Sequence, residues 1–364
     1  MSGKELDKKC EEIGIKNYKG KTKEKKRELI NSKIKTQIII ETQSLTINSN
    51  NKLKMIDLFA GTGAFTLAFQ STNCVNIVYS NDMVDYSKKM YDENFHHKLT
   101  LKDLNEVNIE DIPPHDILTG GFPCQPFSIA GNQEGFNDKR SNVFWKILSI
   151  IDFHQPKCVI LENVKNLVSH DENKTFNIIK SSLEQKGYHI CYKILNTADI
   201  TGIPQHRERI YIVCIKSKDI YDKFNLDFPK IEKKKISEFL ENDVPSKYYY
   251  SDKSVTWDLI KSSVVKKDTI YQYRRVYVRE NKSSECPTLT ANMGEGGHNV
   301  PIILDSIGIR KLTPRECFNF QGFPSSYKLP KLSDSKLYKL AGNAVSVPVV
   351  NLIANRIIPL LHYE

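Results

Sequence analysis

The stretch Met55-Ile56-Asp57-Leu58-Phe59-Ala60-Gly61-Thr62-Gly63-Ala64-Phe65-Thr66-Leu67 decides the architecture. A β-rich apolar run over 55–59 meets two glycines and then helix formers from Ala64, the pattern of a strand turning tightly into a helix. Glycines at such a turn let backbone approach a nucleoside-type ligand. Position 66 is Thr, so the full G-x-G-x-x-G pattern is absent and a pyrophosphate-binding dehydrogenase is disfavoured. Working outward, apolar runs at 76–80, 116–118, 158–161, 189–195 and 210–215 alternate with amphipathic segments. This rhythm predicts an α/β fold built from βαβ units on a mostly parallel sheet.

Ligands of open α/β sheets gather at the carboxyl ends of the strands, and further groups of residues bear on that cleft. Asn81-Asp82 ends the second run and offers a carboxylate to ribose hydroxyls, while Asp103 is placed to meet an adenine amino group. Taken singly, each carboxylate is equally a turn or cap residue; together with Asp57 they suit S-adenosyl-L-methionine. After the run at 116–118 comes Gly120-Gly121-Phe122-Pro123-Cys124-Gln125-Pro126-Phe127-Ser128, a Pro-bracketed loop whose thiol faces the cleft rather than the core. Glu162-Asn163 follows the run at 158–161, and Gln205-His206-Arg207-Glu208-Arg209 leads into the last one, where alternation sends both arginines to one face. Either arginine can pin a phosphate or hold Glu162.

The chain has 364 residues, 40% of them hydrophobic, and a formal charge of +10, which favours a polyanionic partner. Its eight cysteines are scattered, which excludes C-x-x-C zinc or redox signatures and predicts neither metal nor disulfides. The amino terminus opens on Lys4, Glu5 and Asp7, and no apolar run suggests a membrane span, so a cytoplasmic protein is expected. Residues 1–50 hold 12 Lys/Arg against 7 Asp/Glu, with helix-compatible segments at 4–13 and 23–34. After residue 216 a polar, Lys- and Tyr-rich region runs to about 309. Within it Tyr271, Tyr273, Arg275, Tyr277 and Arg279 alternate as one basic-aromatic strand face suited to DNA, the alternative being an ordinary amphipathic sheet. Residues 286–298 read as a flexible loop carrying base-edge donors and acceptors, Thr290 and Asn292 among them.

The motifs at 57–63, 121–128, 161–166, 205–213, 310–324 and 341–345 resemble, in order and spacing, those of the DNA cytosine-5 methyltransferases of bacterial restriction-modification systems. That resemblance implies a Rossmann-like S-adenosylmethionine fold at 51–215, a target-recognition domain at 216–309 and a carboxyl-terminal part, 310–364, returning to the catalytic domain. It implies catalytic roles for Cys124, Glu162, Arg207 and Arg209. It places cofactor binding at Asp57, Phe59, Ala60, Gly61, Gly63, Asp82, Met83, Asp103 and Asn343. Double-stranded DNA contacts fall to Ser128, Arg275, Tyr277, Arg279, Thr290, Asn292, Thr313 and Arg315. A monomer is implied, with a restriction endonuclease acting separately. Three positions depart from the family pattern: Ala64 for a second Gly, Asp82 for Glu and Ala344 for Ser. The basic extension resembles the small SAP DNA-binding modules at Cys10, Gly14-Ile15, Tyr18, Gly20-Lys21 and Leu29-Ile30; a solvated charged arm is the alternative. Two other readings stay open: a transfer-RNA cytosine-5 methyltransferase, and a nonenzymatic DNA-binding relative.

Overall fold

The structure, a computed structural model, describes residues 3–12, 18–30, 52–123, 142–274, 276–295 and 299–362. It divides into two compact units, Met1–Lys52 and Leu53–Glu364. In the small unit, α1 (Gly3–Glu12) and a second helix, α2 over 23–30, fall where composition placed helices. Leu6, Cys10, Tyr18 and Ile30 form its core, and Lys26 pairs with Asp7 at 2.5 Å.

The large unit is built on β1 (Leu53–Leu58), β2 (Val75–Asp82), β3 (Thr100–Leu101), β4 (Ile117–Gly121), β5 (Cys158–Val164), β6 (His189–Asn196) and β7 (Glu208–Ile215). They form one seven-stranded sheet in the order β3-β2-β1-β4-β5-β7-β6, parallel except for β7, which runs against both neighbours. Strands buried on both faces read as unbroken apolar runs, which is why Met55, Ile56 and Leu58 or Val159, Ile160 and Leu161 are all inside. Helices α3 (Ala64–Gln70), α4 (Asp85–Asn94), α5 (Asn142–His154), α6 (Lys174–Gln185), α7 (Thr197–Thr201) and α8 (Lys218–Lys223) connect or flank the strands. Strand order reverses between β1 and β4, and the crevice at such a switch point is where α/β sheets bind ligands.

After α9 (Trp257–Ser263) the chain forms a four-stranded antiparallel sheet from β8 (Ile270–Tyr273), β9 (Val278–Asn281), β10 (Ile302–Leu304) and β11 (Ile309–Lys311), ordered β11-β10-β8-β9. This corrects the single alternating strand expected over 271–279. The chain turns back within it, Arg274 N–H donating to the Tyr277 carbonyl at 2.8 Å. Tyr271 pairs with Glu280, and Gln272 with Arg279, so Tyr271 and Arg279 lie on opposite faces. Tyr271 is core, as in an ordinary amphipathic sheet, and Arg275 is outside the described residues.

Helices α10 (Pro314–Phe320), α11 (Asp334–Asn343) and α12 (Val347–His362) return to the large sheet. Asn351 Nδ2 donates to Ala68 O and Ser71 Oγ on α3, and the Tyr327 hydroxyl donates to Thr62 O at 2.6 Å. The stretch 334–362 is apolar and long enough to cross a membrane by composition alone, but it is divided between α11 and α12, and Val350, Ile353 and Ile357 pack in the core.

Candidate active site

The carboxyl ends of β1, β2, β4 and β5 surround a cavity of about 440 Å³. On one side the turn after β1 puts Phe59, Gly61 and Gly63 in left-handed conformations, φ 54°, 53° and 70°. A methyl group at Gly63 would stand 2.3 Å from the Phe95 ring, so α3 can start this close only with glycine there. Ala64, the first departure, lines the cavity as the first residue of α3. Asp82 accepts from the Gly61 and Val84 amides, both at 2.9 Å, and burial pushes its carboxyl up against those bonds. Met83, Ala60 and Asn343 complete this wall.

Three expected cofactor residues, Gly63, Asp57 and Asp103, do not line the cavity. Asp57 is fully buried beneath the turn, accepting from Thr66 N (3.2 Å), Thr66 Oγ1 (2.8 Å) and Thr119 Oγ1 (3.0 Å). Burial pushes its carboxyl up to about 7 despite those donors. Thr66, the residue that breaks the glycine pattern, is thus the clamp on Asp57. Asp103 accepts from Asn105 N at 2.9 Å and caps the short turn Leu104–Glu106, the cap role open for it in the sequence. Asp57→Ala therefore acts on folding. It takes the acceptor from three buried donors, of which Thr66 Oγ1 keeps the Tyr91 hydroxyl and Thr119 Oγ1 keeps the Ile56 carbonyl, and the loss, about 1–3 kcal/mol in all, is seen as a lowered melting temperature. Asp82→Ala takes the acceptor from the Gly61 and Val84 amides, so it too should lower melting, but unlike Asp57→Ala it should weaken S-adenosylmethionine binding of the folded protein roughly tenfold, read by calorimetric titration.

Across the cavity, Gly121 and Glu162 are register partners of β4 and β5. Asn163 Nδ2 donates to Phe122 O at 3.0 Å, fixing the chain as it leaves β4, and Pro123 lines the cavity. Cys124 is the next residue; it and Ser128 lie outside the described residues. Glu162 is 8% exposed, and its Oε1 stands 3.1 Å from Arg209 Nε without a hydrogen bond of good geometry. Burial pushes the Glu162 carboxyl up, while Arg209 and then Arg207 pull it down.

The two arginines have different work. Arg209 is the partner of Glu162, whereas Arg207 donates to three carbonyls: Leu289 (2.9 Å), Gly342 (3.2 Å) and Ala344 (2.7 Å). Burial pushes the Arg207 guanidinium down to about 9, which leaves it charged at neutral pH. Of the two arginines that could hold Glu162, Arg209 is the one in reach. At position 344 it is the carbonyl that carries the contact, which explains why Ala serves as well as Ser.

A depression of about 390 Å³ lies by α6, and a groove of about 940 Å³ is bordered by Gln272, Arg274, Arg279, Lys282, Thr290 and Asn292. Tyr277 stands exposed in the β8–β9 turn. Thr313 and Arg315 are elsewhere. Thr313 is buried as the N-cap of α10, accepting from Glu316 N and donating to Glu241, and Arg315 donates to the Tyr327 carbonyl. Thr313 is thereby held inside the fold, while Arg315 is half-buried. The groove residues missed in the sequence, Gln272 and Arg274, were hidden because no Asn-Gly or Asp-Gly pair marks the hairpin.

A family model for C-5 cytosine-specific DNA methylase matches residues 53–359. The Type II methyltransferase M.Bsp6I of Bacillus sp. (strain RFL6) is 46% identical over 84% of this chain and 98% of its own length. M.HhaI of Haemophilus parahaemolyticus is 35% identical over 86% and 96%. Among solved structures, the Dnmt2 methyltransferase of S. pombe superposes with a TM-score of 0.67 at 22% identity, covering 84% of this chain and 98% of that one, a likeness of fold. The relatives favour neither the transfer-RNA reading nor the nonenzymatic one. With its family match spanning both halves of the cavity wall, the chain belongs to the C-5 cytosine-specific DNA methylases and is a DNA cytosine-5 methyltransferase.

Proposed function

We propose that the chain methylates C5 of a cytosine flipped out of a specific duplex site, with Cys124 adding covalently to C6. The observation that carries this reading is Glu162, a carboxyl raised by burial with Oε1 free of hydrogen bonds, on the cavity wall beside the strand that leads into Cys124. Cytosine C5 is a poor nucleophile. Forming the S–C6 bond shifts the C5=C6 electron pair towards C5, and a proton delivered to N3 lowers the cost of that shift. Protonated Glu162 is the donor, and Arg209 positions it. Flipping costs a few kcal/mol of unstacking, repaid by the enclosed cavity.

S-Adenosylmethionine fits the other side of the cavity, where Phe59, Ala60, Gly61, Asp82, Met83 and Asn343 would hold it and where it supplies a sulfonium methyl. A volume of about 440 Å³ suits a ligand of that size, and Asp82 keeps acceptor capacity beyond its two amide bonds. Residues 51–215 and 310–364 form the catalytic part and 216–309 the target-recognition part, with Arg279, Thr290 and Asn292 on the groove reading the duplex. The enzyme acts as a cytoplasmic monomer, beside a separate restriction endonuclease. Bisulfite sequencing of DNA from cells expressing the chain should find methylated cytosines at one short sequence; methylation confined to RNA would overturn the reading.

Residues 1–50, with their SAP-like helix pair, add phosphate contacts without base reading. Deleting residues 1–36 should leave the methylated sequence unchanged and flatten the slope of log affinity against log salt, since fewer counterions are released. Equal slopes for the full and shortened chains would make the arm a solvated tail.

A further inference from the structure

The segment expected to be a flexible recognition loop is, over 289–295, laid flat on α11. A methyl group at Gly342 would stand 2.2 Å from the Thr290 carbonyl carbon and oxygen, and one at Gly294 would stand 2.4 Å from Ser335 O and 2.9 Å from Lys339 Cβ. Neither glycine has positive φ, so it is proximity that demands glycine at each. Between these two contacts Met293 is buried, and beyond them Lys339 Nζ donates to Glu295 at 2.8 Å. At the near end Arg207 Nη1 holds the Leu289 carbonyl, with its other nitrogen on Gly342 and Ala344. Thr290 and Asn292 remain exposed on the groove, while Gly342, Asn343 and Ala344 line the cavity.

We infer that this clamp of segment 289–295 on α11 is a specificity-determining device: it fixes where Thr290 and Asn292 stand relative to the base-accepting cavity, so a correct contact in the groove coincides with a correctly seated base. The inference rests on the duplex-site reading above. A bidentate base contact discriminates by about 10–100-fold, and a displacement near 1 Å suffices to lose such an advantage. Gly294 touches neither cavity nor groove, which makes it the position that tests placement without touching chemistry.

The experiment first defines the wild-type site by bisulfite sequencing, then compares kcat/KM on that duplex with kcat/KM on duplexes changed at one base pair. Gly294→Ala should reduce this ratio by about tenfold, with kcat at saturating cognate DNA and S-adenosylmethionine affinity near wild type. Should Gly294→Ala fail to fold, Lys339→Ala, a surface change that removes the Glu295 tether, should reduce the ratio by about threefold. An unchanged ratio in the folded variants, or equal losses on every duplex, overturns the inference. A wild-type enzyme with no preferred duplex site would instead bring down the duplex-site reading, and the inference with it.

Discussion

Cys124→Ser should lower methyl transfer by at least about 10⁴-fold while duplex affinity persists, because only the covalent step needs the thiolate. None of the seven described cysteines lines the cavity. Cys158, Cys214, Cys286 and Cys317 are buried and burial pushes each thiol up, and half-buried Cys191 is pushed up as well. Duplex containing 5-fluorocytosine at the target should trap wild type as a covalent complex and leave Cys124→Ser free. Near-normal turnover in the variant, or no trapped wild type, would place the nucleophile elsewhere.

Glu162→Gln should reduce the chemical rate by about 100-fold or more with little change in cofactor affinity. The acid form is the one that donates, so activity that depends on it is full below the folded pKa and lost as pH rises through it. Burial raises that pKa and Arg209 opposes the rise, so Arg209→Ala should move the alkaline fall of kcat to higher pH. Single-turnover rates across pH make the comparison. A fall displaced to lower pH, or Glu162→Gln at full rate, would remove Glu162 from the role of acid.

Five strands of the large sheet were legible because burial leaves apolar runs that side-chain alternation scarcely interrupts, whereas β6, an edge strand, is largely exposed and showed only through its isoleucines and leucine. β3 is two exposed residues and carries no such pattern. The four-stranded sheet was missed for a different reason: its strands span three or four residues, and one unmarked turn reverses every facing assignment made across 271–279. In the site, Glu162 and Arg209 were recognisable as chemistry-bearing types at strand ends. Which arginine meets the carboxylate was not, since Arg207 precedes β7 and its partners come from 82 and more residues downstream. Asp57, Asp103, Thr313 and Arg315 looked available because sequence reveals charge and polarity but not the tertiary donors that occupy them.

The attachment between the recognition segment and the catalytic body has an evolutionary corollary. Arg207 grips carbonyls of Leu289, Gly342 and Ala344, Gln321 grips those of Ala341 and Ala344, and the glycine contacts are made against Thr290 and Ser335 backbone. Backbone is common to every amino acid, so apart from Met293 and the Lys339–Glu295 pair the fastening does not depend on the side chains the segment carries. Residues facing the groove can drift, or be grafted from another enzyme, without loosening the joint, provided the small residues beneath stay small. New target sequences are then reachable by surface substitution alone, on an unaltered catalytic chassis.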